Sequence, residues 1–437
     1  MAVAEQTRLF PPSPQSLEES GLSLDQVLQL ALKTLLFAGE LSGTELATRL
    51  GVPFSVVAPA LDILKSQRHL EIAGGVMLGA ASYRYRITDA GRARGSLFLE
   101  QNHYVGHAPV PLEHYRRYIS AMQAGAAGRA ATRSDVRRAF SHLVLSQRVL
   151  DQLGPAINAG HSMFVYGPPG NGKTVISQAI RNLLVGDIAV PHAIEVEGSI
   201  IRFFDPVTHE PVAAEEQDHG LLAEAEGDQR WVLCRRPLVM VGGELTLDQL
   251  ELRFSPSLGF YRAPVQAIAN GGVLVIDDFG RQSCSPQELL NRWIVPLESR
   301  VDYLTLQTGQ KIDFPFMAMI VFATNINPAQ LVDEAFIRRI QYKILAESPT
   351  VADYLHIFEN CCAQHGIEFR PDVVQGLVTD YYQPRGLPLR GCHPRDLLDQ
   401  AKSLAQYLEE PFELRADLLA AACDSYFVDE RSSMATG

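Results

Sequence analysis

The stretch from Ser162 to Thr174 constrains this chain more than any other. An apolar run, Met163 to Tyr166, empties into Gly167-Pro168-Pro169-Gly170-Asn171-Gly172-Lys173-Thr174, and a helical pattern follows to about Leu184. Glycines at the end of a buried strand let successive backbone N–H groups turn inward on a polyphosphate, and the next helix adds the positive end of its dipole. In that setting Lys173 is expected to reach the β- and γ-phosphates, and the Thr174 hydroxyl to hold Mg²⁺. Strand, glycine turn, lysine and helix in this order predict the P-loop of an α/β nucleoside triphosphatase, with ATP and Mg²⁺ as cofactors.

A divalent cation beside phosphates also needs a carboxylate from a neighbouring strand. Val273 to Ile276 is a second apolar run, and it ends in Asp277 and Asp278. Asp277 is the expected metal ligand. Asp278 lies where an attacking water would be polarised. Further strands are expected at 193–196 and 317–323, and amphipathic helices fill the chain from Pro349 to about Val428.

With these residues in place, the chain resembles the AAA+ ATPases, a family of nucleotide-driven ring machines, over residues 140–428. The resemblance implies an α/β core with a C-terminal α-helical lid. It also implies that Asn325, which follows the 317–323 strand, positions the attacking water. The family usually has Glu where this chain has Asp278, so slow turnover is expected. In Asp333-Glu-Ala-Phe-Ile-Arg338-Arg339 the resemblance implies an arginine finger for the neighbouring subunit, Arg339 by register and Arg338 second. In Gly391-Cys-His-Pro-Arg395 it implies that Arg395 returns from the lid to the nucleotide. An insertion at about 197–262 and a hairpin over 297–315 resemble the MoxR-type branch, in which such elements face the ring's pore and touch the client. There Arg235, Arg236 and Arg262 are the candidate contacts. A ring, six-membered by the resemblance, that remodels a protein client is the implied output.

The chain has 437 residues, 46% hydrophobic and 20% charged, which suits several soluble domains better than one. No apolar run approaches the roughly 18 residues of a membrane span. Residues 1–15 lack a basic stretch followed by an apolar core, so no secretory signal is expected there. Six cysteines are scattered without metal spacing. A cytoplasmic location is the expectation. The net charge of −12 divides unevenly. Residues 1–150 hold 16 Lys and Arg against 12 Asp and Glu, and the remainder holds 22 against 38. That argues against nucleic acid wrapping the whole surface and leaves the N-terminal part as a possible contact.

Residues 1–22 read as a flexible tail. Helical runs from Leu24 to Gly39, Gly43 to Leu50 and Ser55 to Gln67, then a strand at 82–87, resemble a winged helix-turn-helix over 23–100. The phrase Ile87-Thr-Asp-Ala-Gly-Arg resembles the end of its wing. Base reading needs Arg, Lys, Asn or Gln at the start of the third helix, where this chain has Phe54-Ser-Val-Val-Ala-Pro. Lys65, Gln67 and Arg68 at its far end, with Arg84 and Arg86 on the wing, leave room for weak phosphate contact, and Val56, Val57 and Pro59 suit a protein contact. Residues 101–140, rich in arginine, read as a linker. The ATPase core is then expected at 141–348 and the lid at 349–437. A DNA-associated loader or initiator and a nucleotide switch with little turnover are the competing expectations.

Overall fold

In the computed structural model, residues 10–74, 79–126, 130–213, 227–331 and 334–427 are described. Residues 1–9 of the expected tail, Arg129 of the expected linker and Asp333 of the arginine segment lie outside them. The chain forms two compact units. The first comprises 1–130, 184–274 and 282–320, and the second 131–183, 275–281 and 321–437.

In the first unit, local chemistry explains the N-terminal helices. Ser23 and Gln26 close a capping box on Leu24–Ala38, and Gly39 stops that helix at φ 75°. Ser42 and Glu45 cap Gly43–Leu50, and Gly51 ends it in the left-handed region. Phe54–Ser66 is the next helix. Strands Glu40–Ser42, Arg84–Ile87 and Leu70–Gly74 make a three-stranded antiparallel sheet in that order. Thr88 then caps the helix Asp89–Gln101.

Val56 and Val57 are fully buried, because their helix turns them into the core that also holds Leu30, Leu46 and Leu61. They form no contact surface. Arg84 and Arg86 both donate to the Glu40 carboxylate, at 2.6 and 2.8 Å, and these bonds hold Glu40 below the usual carboxylate range. Both cations thus already have an anion. From Phe10 onward the expected tail is anchored. Asp228 N–H donates to the Pro11 carbonyl at 2.9 Å, Leu17–Ser20 is helical, and Ser20 and Leu22 are buried.

The expected linker is structural as well. Val110–Pro111 pairs in parallel with Ala193–Val196, and the helix Leu112–Ala126 buries Tyr115, Tyr118 and Ile119. Asn270 donates to the Tyr115 hydroxyl at 3.1 Å, and Ala189 N–H to the Tyr118 hydroxyl at 2.6 Å. Its apolar residues were hidden among arginines, and their partners lie far along the chain. The insertion supplies most of a mixed sheet ordered Arg253–Ser255, Phe260–Arg262, Ser199–Arg202, Ala193–Val196, Val110–Pro111. Ala193 and Phe260 join the core of the N-terminal helices, so those helices and the insertion share one interior. Arg236 donates to the carbonyls of Val185, Gly186 and Gly271 at 2.8–3.0 Å. It braces the fold and is not available as a client contact, whereas Arg235 and Arg262 are exposed. Val301–Thr305 and Lys311–Pro315 form an antiparallel hairpin.

Within this unit the His107 and His192 rings stack 3.8 Å apart and 3° from parallel. Burial lowers both, and His192, with His107 as a like-charged neighbour, falls to about 4. The unfolded chain takes up this proton near 6.5 and the folded one resists until about 4. The pair's contribution to stability is therefore whole above about pH 6.5 and is lost as pH falls from there through 4. Urea midpoints measured from pH 7 to 4 should drop more steeply for the wild type than for His192→Gln. Parallel curves would remove the pair from the acid response.

The second unit carries the glycine-rich stretch Gly167 to Thr174. The strands Val273–Ile276, Met319–Thr324, Met163–Tyr166 and Tyr342–Leu345 lie side by side in that order, the first two beginning in the first unit. Around Met163–Tyr166 the pairing is parallel on both sides, Thr324 and Leu345 both standing opposite Tyr166. These three strands thus end level, and the turns after them emerge at one edge. Beyond Thr350 come helices Val351–His365, Pro371–Gly376, His393–Tyr407 and Ala416–Tyr426, with a π-helical turn at Leu377–Tyr382. Their core includes Tyr354, Phe358, Val374, Leu397, Leu398, Leu418 and Leu419. All six cysteines are unpaired thiols. Among the described residues no single helix is long and apolar enough to cross a membrane.

Candidate nucleotide site

Ligands of parallel α/β sheets sit beyond the carboxyl ends of the strands, and the predicted residues converge there. Gly167 leaves Met163–Tyr166 at φ 143°, and a Cβ on it would lie 2.5 Å from the Ala346 carbonyl oxygen. No other residue fits between the two strand ends. Gly170 and Gly172 also take positive φ, folding Gly167 to Gly172 into a turn that feeds the helix Lys173–Ala179.

Lys173 is only 7% exposed, and its Nζ donates to the Pro168 carbonyl at 2.9 Å. Burial lowers its pKa; Asp277 and Asp278 oppose that, and Arg390 adds to it. A half-desolvated ammonium resting on a backbone carbonyl is poised to take anionic oxygens instead. The Thr174 hydroxyl donates to Asp277 Oδ2 at 2.8 Å. A hydroxyl and a carboxylate side by side are hard oxygen donors of the kind Mg²⁺ takes, with water and phosphate completing its shell. Among the described residues there is no group of three or more His, Cys, Asp or Glu that could hold a metal alone. That donor set fits Mg²⁺ shared with a polyphosphate, held by Thr174 and Asp277.

Asp278 occupies the left-handed region, φ 49°, in the turn after the acidic strand. Short side chains that bond locally tolerate that conformation best, which gives a physical reason for Asp rather than Glu here. The turn is clamped to the neighbouring strand end. Phe279 N–H donates to the Ala323 carbonyl, and the Thr324 hydroxyl to the Phe279 carbonyl, both at 2.7 Å. This brings the Asn325 amide to Asp278 Oδ1 at 3.1 Å. Asp277, Asp278 and Asn325 therefore form one constellation with Lys173 and Thr174.

The predicted arginines are placed differently. Arg338 and Arg339 end the short helix Glu334–Arg339, the first exposed and the second half-buried. Arg395 turns to Asp396 Oδ1, at 2.9 and 3.1 Å, and not toward the loop. The arginine that does approach is Arg390, five residues earlier. It donates to Ser348 Oγ at 3.1 Å, and its Cβ lies 3.6 Å from the position a Cβ on Gly170 would take. Gly391 N–H donates to Asn171 Oδ1 at 3.3 Å and Cys392 N–H to the Gly170 carbonyl at 2.8 Å. Asn171 in turn donates to Ser348 Oγ and the Ala346 carbonyl, both at 3.3 Å. The expected segment does meet the loop, through Arg390 to Cys392 and not through Arg395. The helix begins at His393, so Arg395 falls on its first turn, while Arg390 precedes it on the stretch bonded to the loop.

Residues 350–425 match a family described as a domain of unknown function, DUF8689. No curated protein matches the chain. Among solved structures, the chain is similar to a Thermotoga maritima RuvB mutant at 13% identity, covering 65% of this chain and 71% of that one, TM-score 0.40. It is similar to NtrX from Brucella abortus at 15% identity, covering 67% and 58%, TM-score 0.40. The same NtrX in complex with ATP gives 14%, 66% and 57%, TM-score 0.37. These likenesses are distant, and the chemistry of the site is carried by its own residues.

Proposed function

We propose that this chain binds Mg-ATP at the Gly167–Thr174 loop and hydrolyses it, as an AAA+ ATPase whose turnover remodels a protein client. One observation carries the nucleotide reading: Thr174 and Asp277 meet at 2.8 Å beside a buried Lys173 at the mouth of a glycine turn. Gly167, Pro168, Pro169, Gly170, Asn171 and Gly172 present the backbone to the phosphates, and Lys173 binds the terminal ones. Mg²⁺, when bound, neutralises developing charge on the phosphoryl oxygens. Asp278, oriented by Asn325, accepts a proton from the attacking water as the water oxygen bonds to the terminal phosphorus. The bond to the bridging oxygen breaks, leaving ADP and phosphate. Arg390 replaces Arg395 as the lid cation nearest the phosphates.

Arg339, with Arg338 second, is proposed to reach a neighbouring subunit's nucleotide, which makes a ring the working form. Residues 23–100 are read as a winged helix-turn-helix built into the body of the protein and not tethered to it. With Arg84 and Arg86 engaged by Glu40, a protein partner suits it better than DNA. The insertion and the 301–315 hairpin are the proposed client-facing elements of a MoxR-like machine.

Phosphate release from the purified full chain tests the hydrolytic reading. Asp278→Asn should bind ATP with turnover reduced by about 100-fold or more, the usual scale for losing a general base. Normal turnover would remove Asp278 from the mechanism. In the same assay Arg390→Ala should weaken nucleotide binding roughly tenfold or more, the scale of one hydrogen bond to a charged group. Arg395→Ala should leave binding nearly unchanged. The reverse ranking would return the role to Arg395.

A further inference from the structure

The helical region holds a buried polar chain that the nucleotide chemistry does not use. The Tyr354 and Tyr382 hydroxyls lie 2.9 Å apart, and Tyr382 Oη is 3.0 Å from His393 Nδ1. These residues are 0%, 1% and 6% exposed. Buried hydroxyls and ring nitrogens are costly when unpaired, so each member of the chain restricts where the next can sit. Burial and the Arg390 charge push His393 down to about 4, keeping the ring neutral and able to pair with a hydroxyl.

The two ends of this chain are informative. His393 is the first residue of its helix. The residues just before it, Gly391 and Cys392, donate to Asn171 and to the Gly170 carbonyl of the phosphate loop. Tyr382 is the last residue of the π-helical turn Leu377–Tyr382, a departure from α-helical register that recurs at functional sites. On the other side of that turn, Tyr381 donates to Asp424 Oδ1 at 3.0 Å, and Arg385 stacks 3.9 Å over the Tyr381 ring. The turn is therefore held at two points, one of which leads within two residues of the loop.

We propose that Tyr382 and His393 are positioning residues that couple the phosphate loop to the helical region. Phosphate entering the loop moves the Gly170 carbonyl and the Asn171 amide; Arg390 to Cys392 follow, His393 moves with them, and the π-helical turn responds through Tyr382. This rests on the ATP reading above, and it makes the π-helical turn the part of the lid that reports nucleotide state.

The test uses the full chain with Mg²⁺ and a slowly hydrolysed ATP analogue. Binding is first measured by calorimetry, then amide hydrogen exchange is compared with and without analogue. In the wild type, analogue should slow exchange at 390–396 and also at 377–382. In Tyr382→Phe it should still bind and still slow 390–396, but the effect at 377–382 should be lost. The same variant should raise KM for ATP severalfold with kcat little changed, a split that general loosening of the fold would not produce. His393→Gln serves as a second variant and should also uncouple the turn. Binding that leaves 377–382 unchanged in the wild type, or that protects it equally in Tyr382→Phe, overturns the coupling and leaves the nucleotide site standing. Absence of any binding overturns both.

Discussion

Lys173→Ala should lose nucleotide binding while the protein without nucleotide stays as stable as before. In the structure the Lys173 ammonium bonds the Pro168 carbonyl, and burial disfavours its charge. Its removal therefore costs the empty fold little. The loss appears only with ligand, because a charge-assisted contact to phosphate is among the strong ones. A ligand that binds only the folded state stabilises it by about 2.7 kcal/mol at a hundredfold excess over Kd. Wild type should show a thermal shift of that scale with Mg-ATP, and Lys173→Ala none. An undiminished shift in the variant would place nucleotide somewhere other than the Gly167–Thr174 loop.

The largest expected effect on stability lies in the first unit, at Asp228 and Arg230. Arg230 is 2% exposed. It donates to both Asp228 oxygens at 2.8–3.1 Å, and to the carbonyls of Ser20 at 2.9 Å and Pro109 at 3.4 Å. Trp231 Nε1 donates to the same carboxylate at 3.2 Å. One guanidinium thus ties the N-terminal segment and the 101–130 stretch to the insertion. Asp228→Ala strands that cation in the interior, and breaking a buried pair from one side typically costs about 3–5 kcal/mol. The chain has two tryptophans, Trp231 and Trp293, both in the first unit, so urea unfolding followed by fluorescence reports on this unit. Asp62→Ala, at an exposed helix position, should stay within about 0.5 kcal/mol of wild type. A similarly small change for Asp228→Ala would show that Arg230 finds other partners and that the pair does not hold the unit together.

The parts of the candidate nucleotide site were legible because they are local. Glycine spacing, a lysine at a helix start and acids at the end of an apolar run each declare their backbone setting within a few residues, and parallel pairing then brings them to one edge. The arginines were less legible. An arginine side chain is long, and where it points depends on neighbours distant in the chain. Arg395 found Asp396 next to it, and Arg390 found Ser348 across the fold.

Domain boundaries were the least legible, since the signs used for them were compositional. Proline and arginine at 101–140 resemble a linker in sequence, but Tyr115 and Tyr118 are core residues whose partners are Asn270 and Ala189. Val56 and Val57 resembled a docking face until the helix rotation turned them inward.

By itself the amino-acid sequence determined the glycine turn, Lys173, Thr174, Asp277 and Asp278, because their backbone requirements are set by immediate neighbours. Only tertiary structure decided that Asn325 bonds Asp278, that Arg390 and not Arg395 lies against the loop, and that the N-terminal helices share an interior with a segment more than a hundred residues away. Those outcomes depend on which distant groups satisfy a buried charge or a backbone amide, and spacing along the chain does not encode that choice.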